Sequence, residues 1–205
     1  MAQTHLTGPQ DLPDDLVLQL HRYLWQPACY AHSGWFTTIG FLPQAGWYYG
    51  LSPRLDRCLN EALRAQRGTP RLPAKLNAHQ RRIAQLAPCI ASLALALGLL
   101  LLDCHDYFLL PDYRQAILHR LDEALIWQLF GLCSGKKGRV FSPDDLMVMA
   151  TRLGTSVLYR AAQNDPVLYA VLITFPPCER ALWPPLPTLA MNSLERILCP
   201  TVNSP

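Results

Sequence analysis

The sequence has few charged residues, and this shortage excludes several classes of protein. Of the 205 residues, 16% are charged and 50% are hydrophobic, whereas an average globular domain has about 25% charged residues. A chain this apolar can form a packed core and is not expected to be disordered. The net charge of +3 is too small for an obligate nucleic-acid binder, which needs clustered lysine and arginine to bind phosphates. The low surface charge that results predicts a protein partly covered by its partners.

The cysteines and histidines lack the spacing of a disulfide framework or a metal site. There are seven cysteines, an odd number, and no two form a C-x-x-C pair. No two of the six histidines lie three or four residues apart. The first residues contain no basic stretch followed by an apolar core, so we expect no secretory signal and a cytosolic compartment. We therefore predict reduced cysteines that behave as small apolar residues, with no metal and no cofactor.

One apolar run, residues 86–102, is the only membrane-like stretch. It is at the lower limit of length for crossing a bilayer, and it contains Pro88 and Gly98. We predict that it forms a core helix buried on all sides, with no direct membrane span. A single-pass span is the alternative.

Strand patterns are scarce, and helical spacing of apolar residues dominates the rest of the chain. The only β-rich run, residues 167–175, has no evident partner strand. Ser52-Pro53 and Ser142-Pro143 each combine a capping hydroxyl with a proline at the first helical position. The fold is therefore predicted to be all-α, a single-domain irregular helical bundle of about seven to nine helices.

The predicted organisation is a flexible lead, residues 1–12, followed by one helical domain, residues 13–200. The domain comprises an aromatic-rich N-terminal portion (13–67), a helical core (77–175), a proline-rich connector (176–187) and a final helix (188–199).

Prolines and capping residues set the predicted helix boundaries in the core. Asn77 is expected to cap a helix that Pro88 kinks or divides. The apolar helix that follows is expected to run to about Leu110. Pro111 then opens another helix, which is expected to continue as one segment to about Leu132.

Two motifs resemble catalytic sites but lack the required geometry. Cys104-His105-Asp106 contains the residue types of a nucleophile triad, but adjacent helical residues point about 100° apart and do not face one another. The segment 131–137 has the wrong glycine spacing for a phosphate loop, and Lys137 occupies the place of its serine or threonine. We therefore predict no catalytic residue and a non-enzymatic protein. A helical enzyme with an unrecognised active site is the alternative.

Aromatic residues in connectors and one basic turn are the candidates for interaction with partners. Aromatic residues in loops, beyond the needs of a core, are typical of protein–protein interfaces. The basic turn predicts contact with an acidic partner surface or, in a peripheral membrane protein, with lipid headgroups. The candidate residues are Trp25, Trp35, Trp183 and the basic cluster Lys136, Lys137 and Arg139.

The segment from Trp25 to His32 resembles a family signature. Its order of an aromatic residue followed by Pro27, Tyr30 and His32 is similar to the aromatic, P-x-x-Y-x-H signature of the SctK family. Asn60, which lies in a second family block at residues 59–63, completes the set of signature residues Pro27, Tyr30, His32 and Asn60. We expect these residues to be structural or to bind a partner.

Further blocks of the chain are similar to the same family in order and separation. Residues 59–63 (LNEAL) resemble its L-N-x-A-L helix, and residues 97–99 (LGL) resemble its L-G-L core helix. Residues 144–169 follow a similar helical pattern, so the resemblance extends from about residue 22 to 199. The proline-rich connector and the N-terminal lead depart from the family pattern.

The resemblance implies a cytoplasmic, non-enzymatic adaptor of a bacterial type III secretion sorting platform. Such adaptors link the cytosolic domain of the inner-membrane ring protein (SctD-type) to the pod protein (SctQ-type), and indirectly to the stator and the export ATPase. The resemblance implies a location at the cytosolic face of the inner membrane in the assembled machine, without nucleic acid or cofactor.

Overall fold

The computed structural model describes residues 15–135, 138 and 141–178, and the regular secondary structure of this part of the chain consists of helices, without strands. The predicted lead, the final helix, most of the connector and the candidates Lys136, Lys137, Arg139 and Trp183 lie outside the described residues. The described α-helices are α1 (Asp15–Trp25), α2 (Pro27–Tyr30), α3 (Ser33–Thr38), α4 (Pro53–Arg67), α5 (Ala78–Gln85), α6 (Ile90–Leu102), α7 (Asp106–Leu109), α8 (Pro111–Leu118), α9 (Glu123–Leu132), α10 (Pro143–Ala161) and α11 (Pro166–Val171). Two short 3-10 helices cover Ala87–Cys89 and Leu172–Thr174.

The predicted all-α class is confirmed. Four of the eleven described helices (α2, α3, α7 and α11) have six residues or fewer, and the other seven are longer. The β-rich run 167–175 forms α11 and a 3-10 helix. Its helical start is set by Pro166 and by the Asp165 carboxylate, which accepts hydrogen bonds from the backbone N–H groups of Val167 and Leu168.

The predicted capping residues start their helices. The Ser52 hydroxyl accepts a hydrogen bond from the backbone N–H of Leu55, and Ser142 accepts one from Asp145. Asn77 and Gln80 form a reciprocal capping box at the start of α5. The segment is divided at Pro88 as predicted. Pro88 lies in the 3-10 helix that opens the second part, and the helical segments 78–85 and 87–102 are bent by 47° relative to each other.

Two predicted boundaries are wrong. The apolar helix ends at Leu102 instead of about Leu110, because Asp103 adopts the left-handed conformation with a φ of 48°. The single helix predicted from Pro111 is two helices, α8 and α9. They separate because the Asp122 carboxylate accepts a hydrogen bond from the backbone N–H of Leu125 at 2.7 Å and starts a new helix there.

Among the described residues, no single helix is long and apolar enough to cross a membrane. Taken together, the two bent helical segments 78–85 and 87–102 are long and apolar enough for a span, by length and composition alone. In the fold, nine of the 13 residues of α6 are buried, as predicted for a core helix.

Helices α6 and α10 form the centre of the fold and pack with their backbones in close contact. A Cβ atom on Gly98 of α6 would lie 1.7 Å from the carbonyl oxygen of Ala150, and one on Gly154 of α10 would lie 1.7 Å from that of Ala94. Only glycine fits at either position, because the neighbouring atoms belong to the backbone and cannot move aside.

Two groups of helices surround this central pair. Helices α7, α8 and α9 contact one another, and α8 and α9 pack on α10 and α6 respectively; we call them the α7–α9 group. Helices α1, α2, α4, α5 and α11 form the N-terminal group, which joins the central pair through α11 and the 3-10 helix before α6. In the described part of the chain, no helix of one group has an extensive contact with a helix of the other.

We predict that Gly154→Ala destabilises the protein by about 3 kcal/mol or more, because the added methyl group overlaps the backbone of α6. Urea denaturation followed by circular dichroism measures the change in the free energy of unfolding.

Gly131→Ala is the matched control. Gly131 is exposed in α9, and a Cβ atom there would meet nothing within 4 Å. We expect a gain of about 0.5–1 kcal/mol from the better helix former. A similar effect from both substitutions would contradict the close α6–α10 contact.

Candidate interaction surfaces

Asn60 joins three parts of the N-terminal group. Its side chain is buried in α4. Its Oδ1 accepts a hydrogen bond from the backbone N–H of Ala28 at 2.9 Å, and its Nδ2 donates to the Tyr49 hydroxyl at 3.0 Å. One amide therefore holds both α2 and the loop before α4 against α4, and satisfies polar groups that would otherwise be buried without a partner.

His32 and Trp35 fasten the N-terminal group to the chain beyond α11. The backbone N–H of His32 donates to the carbonyl of Ile173 at 3.0 Å, and its Nδ1 accepts from Gly34 at the start of α3. The indole N–H of Trp35 donates to the carbonyl of Phe175 at 2.9 Å. These bonds connect segments about 140 positions apart in the sequence.

The other two signature residues also make contacts within the protein. Pro27 is the buried first residue of α2. Tyr30 packs edge-on against Tyr23, with ring centroids 5.0 Å apart. All four signature residues thus have structural contacts, and their binding to a partner stays a prediction.

Trp35 was predicted as a partner-binding surface residue, and this is wrong. It is 8% exposed, because its N–H is bonded to Phe175 and its ring is covered. The Arg67 guanidinium carbon lies 5.0 Å from the Trp35 ring centroid and 4.7 Å from that of Tyr169.

Arg67 and Tyr169 join α4 to α11. The guanidinium donates to the carbonyl of Tyr169 at 2.7 Å, and the Tyr169 hydroxyl donates to the carbonyl of Arg67. Burial lowers the pKa of Arg67 and raises the pKa of Tyr169, while the attraction between the two groups opposes both shifts. Sequence reasoning missed this pair, because a terminal helix arginine and a tyrosine 102 positions later carry no local signal.

Trp25 is exposed, in contrast to Trp35. It is the last residue of α1 and is 57% exposed. The guanidinium of Arg64 lies 5.4 Å from its ring centroid and covers one face of the ring. With the exposed arginines Arg22 and Arg57, these residues form what we call the arginine–tryptophan surface.

A second apolar surface lies on the α7–α9 group. Its centre is Trp127, which is 46% exposed. The Arg114 guanidinium lies 4.6 Å from the Trp127 ring centroid and is held there by Glu123 at 2.6 Å. We call the surface formed by Trp127, Arg114 and Leu118, which lies one turn after Arg114 on α8, the α7–α9 surface. Leu109 and Leu132 are two further exposed apolar residues of the group. Sequence reasoning missed it because residues 111–132 were predicted to form one long helix, which does not bring α8 and α9 side by side.

A groove of about 1450 Å³ runs between α6, α10 and residues 174–178. The histidine and arginine side chains that line it are His32, His119, Arg120 and Arg152. No aspartate or glutamate of the described residues lines it. Nor does any group of three or more histidine, cysteine or acidic side chains in this part of the chain have the geometry to hold a metal ion.

The residues of the Cys104-His105-Asp106 motif have structural surroundings. Cys104 is buried, and the Nε2 of His105 lies 3.2 Å from the carbonyl of Cys133. The His105 ring packs on Phe130 with centroids 4.5 Å apart.

Cys133 lies outside the motif and faces it. Burial, together with the nearby Asp103 carboxylate, raises the pKa of the Cys133 thiol to about 12, which keeps it protonated. A nucleophilic cysteine has the opposite shift.

The chain matches a family model described as type III secretion system subunit over residues 18–177. This range covers well over half of the chain, so the chain belongs to this family of type III secretion system subunits. The type III secretion part of the predicted resemblance is confirmed. No curated protein and no solved structure gives a significant match.

We predict that Asn60→Leu destabilises the protein by about 2 kcal/mol, because the N–H of Ala28 loses its acceptor inside the fold. Thermal and urea denaturation measure this loss. Tyr49→Phe is the control. It removes only the hydroxyl that accepts from Asn60, so we expect a loss of about 1 kcal/mol or less. Equal losses for the two variants would contradict the role of the Asn60–Ala28 bond.

We also predict that stability falls as the pH rises above about 10. The Tyr159 hydroxyl donates to the carbonyls of Leu172 and Pro176, and burial raises its pKa above the ordinary value of 10.0. Above pH 10 the unfolded chain releases this proton while the folded chain keeps it, so unfolding becomes easier by about 1.4 kcal/mol per pH unit for each such group.

Tyr159→Phe removes one of these groups, and the variant is expected to show a shallower loss of stability between pH 10 and 11 in urea titrations. An unchanged slope would show that Tyr159 does not carry this dependence.

Proposed function

We propose that this type III secretion system subunit is a non-enzymatic cytoplasmic adaptor of the sorting platform, of the SctK type. In this role it links the cytosolic domain of the SctD-type inner-membrane ring protein to the SctQ-type pod protein. Through the pod it connects to the stator and the export ATPase, at the cytosolic face of the inner membrane. It is then required for protein secretion and for the virulence that depends on secretion.

The observation that carries this proposal is the presence of two separate exposed surfaces on one helical centre. The arginine–tryptophan surface belongs to the N-terminal group and is built around Trp25. The α7–α9 surface is built around Trp127. A protein that joins two partners needs two binding surfaces that do not overlap, and tryptophan and arginine are the residues most enriched at the energetic centres of interfaces.

The contacts of the reactive side chains support a non-enzymatic role. His105 is packed between a backbone carbonyl and an aromatic ring, and Cys104 is buried beside it. The raised pKa of Cys133 disfavours its thiolate. Each of these side chains has a structural contact, and an adaptor needs no catalytic group.

The test is direct binding of the purified chain to each of the two proposed partners in separate pull-downs. We expect both to bind. Trp127→Ala and, as a second variant, Leu118→Ala are expected to weaken binding of one partner at least tenfold and to leave the other unchanged. A sample that is folded by circular dichroism but binds neither partner would overturn the proposal.

Val148→Ala is the matched control. Val148 is an apolar helical residue of α10 with 67% of its side chain exposed, and it lies outside both surfaces. We expect it to leave both affinities unchanged.

A further inference from the structure

We infer that the arginine–tryptophan surface docks an acidic segment of a partner protein, whose carboxylates pair with the arginines and whose apolar side chains cover Trp25. This inference rests on the proposed function, since it names the chemistry by which one of the adaptor's partners is recognised.

The arginines of α4 share one exposed side of the helix. Arg57 and Arg64 are seven positions apart, which places them two turns or about 10.5 Å apart along the same face. Arg54 precedes Arg57 by one turn and extends the row. The opposite side of α4, with Leu59 and Leu63, is buried against the N-terminal group.

Among the residues that the structure describes, these arginines have no acidic partner. Within residues 15–135 and 141–178, none of Arg22, Arg54, Arg57 and Arg64 forms an ion pair. Glu61 lies on the same side of α4 between Arg57 and Arg64, yet it pairs with neither of them. In a chain with so few charged residues, an unpaired row of arginines is available for charges supplied by another molecule.

Arg64 is already positioned for such a contact. Its Nε donates to the carbonyl of Asn60 at 3.3 Å, and its guanidinium rests on the Trp25 ring. The terminal Nη groups donate no hydrogen bond to any described residue. A side chain held in place in this way loses little conformational freedom when a carboxylate binds to its outer edge.

Two features favour protein carboxylates over the phosphate backbone of a nucleic acid. A planar guanidinium binds a carboxylate or a phosphate through two parallel hydrogen bonds, so the choice between them depends on the surroundings of the arginines. Glu61 interrupts the positive row and would repel a continuous phosphate backbone, whereas carboxylates two helical turns apart pass on either side of it. One face of Trp25 is covered by Arg64, so that face offers no platform for stacking a base.

The first experiment measures the affinity of the full chain for each proposed partner by isothermal titration calorimetry at low and high salt. For the double variant Arg57→Glu/Arg64→Glu we expect at least a tenfold loss of affinity for one partner and no change for the other. The native affinity for that same partner is expected to fall as salt rises. Trp25→Ala is expected to weaken the same partner at least tenfold.

Arg82→Glu is the matched control for charge reversal. Arg82 is an exposed helical arginine on α5 without an ion pair in the described structure. We expect it to leave both affinities unchanged. Circular dichroism melting of each variant separates a loss of binding from a loss of folding.

The second experiment locates the carboxylates. In the variant Arg57→Lys/Arg64→Lys, which keeps the charge, carbodiimide treatment of the complex forms an amide bond wherever an amine touches a carboxylate. Each introduced amine is therefore linked to a partner carboxylate that lies against it. Mass spectrometry is expected to find cross-links from position 57 or 64 to aspartate or glutamate of the partner. Cross-links confined to other positions would contradict the inference.

The outcomes distinguish this inference from the proposed function. If both partners bind the native chain and charge reversal changes neither affinity, the inference is overturned while the adaptor role stands. If neither partner binds the native chain, the adaptor role fails and the inference falls with it. Charge reversal that abolishes binding only to a 20-nucleotide DNA or to vesicles of phosphatidylserine in phosphatidylcholine would also overturn the inference.

Discussion

The close contact between α6 and α10 is the constraint on which the rest of the structure depends. Gly98 and Gly154 bring the two backbones together, and no other residue fits at either place. This contact buries the longest apolar run of the chain, which would otherwise be a liability in water. It also fixes the two edges on which the N-terminal group and the α7–α9 group assemble. The central pair therefore decides the positions of both exposed surfaces.

The N-terminal group is held together by a few specific polar contacts. Asn60 organises the group internally, and His32 and Trp35 bond it to residues 173–175. The Arg67 guanidinium lies between the Trp35 and Tyr169 rings and holds α4 to α11 within the group. Because buried polar groups are costly without their partners, these bonds fix one arrangement of the group. The result is a firm base for the exposed Trp25 at its edge.

Local patterns in the sequence predicted the fold class well and the interaction sites only in part. Ser52-Pro53 and Pro88 determine helix starts and breaks by local chemistry, so their effects were predictable. The division at Asp122 was missed because an aspartate caps a helix or lies on its exposed face according to how the chain folds around it. Trp25 and Trp35 look alike in the sequence. A carbonyl 140 positions away determines that Trp35 is the buried one.

Two separate surfaces on one helical pair would allow the two proposed partners to bind at the same time. Mass photometry of the chain mixed with the cytosolic domain of the ring protein and the pod protein tests this most directly. We predict a complex that contains all three proteins, at concentrations where each pair also forms. Two binary complexes that exclude each other, with the second partner displacing the first, would contradict the account.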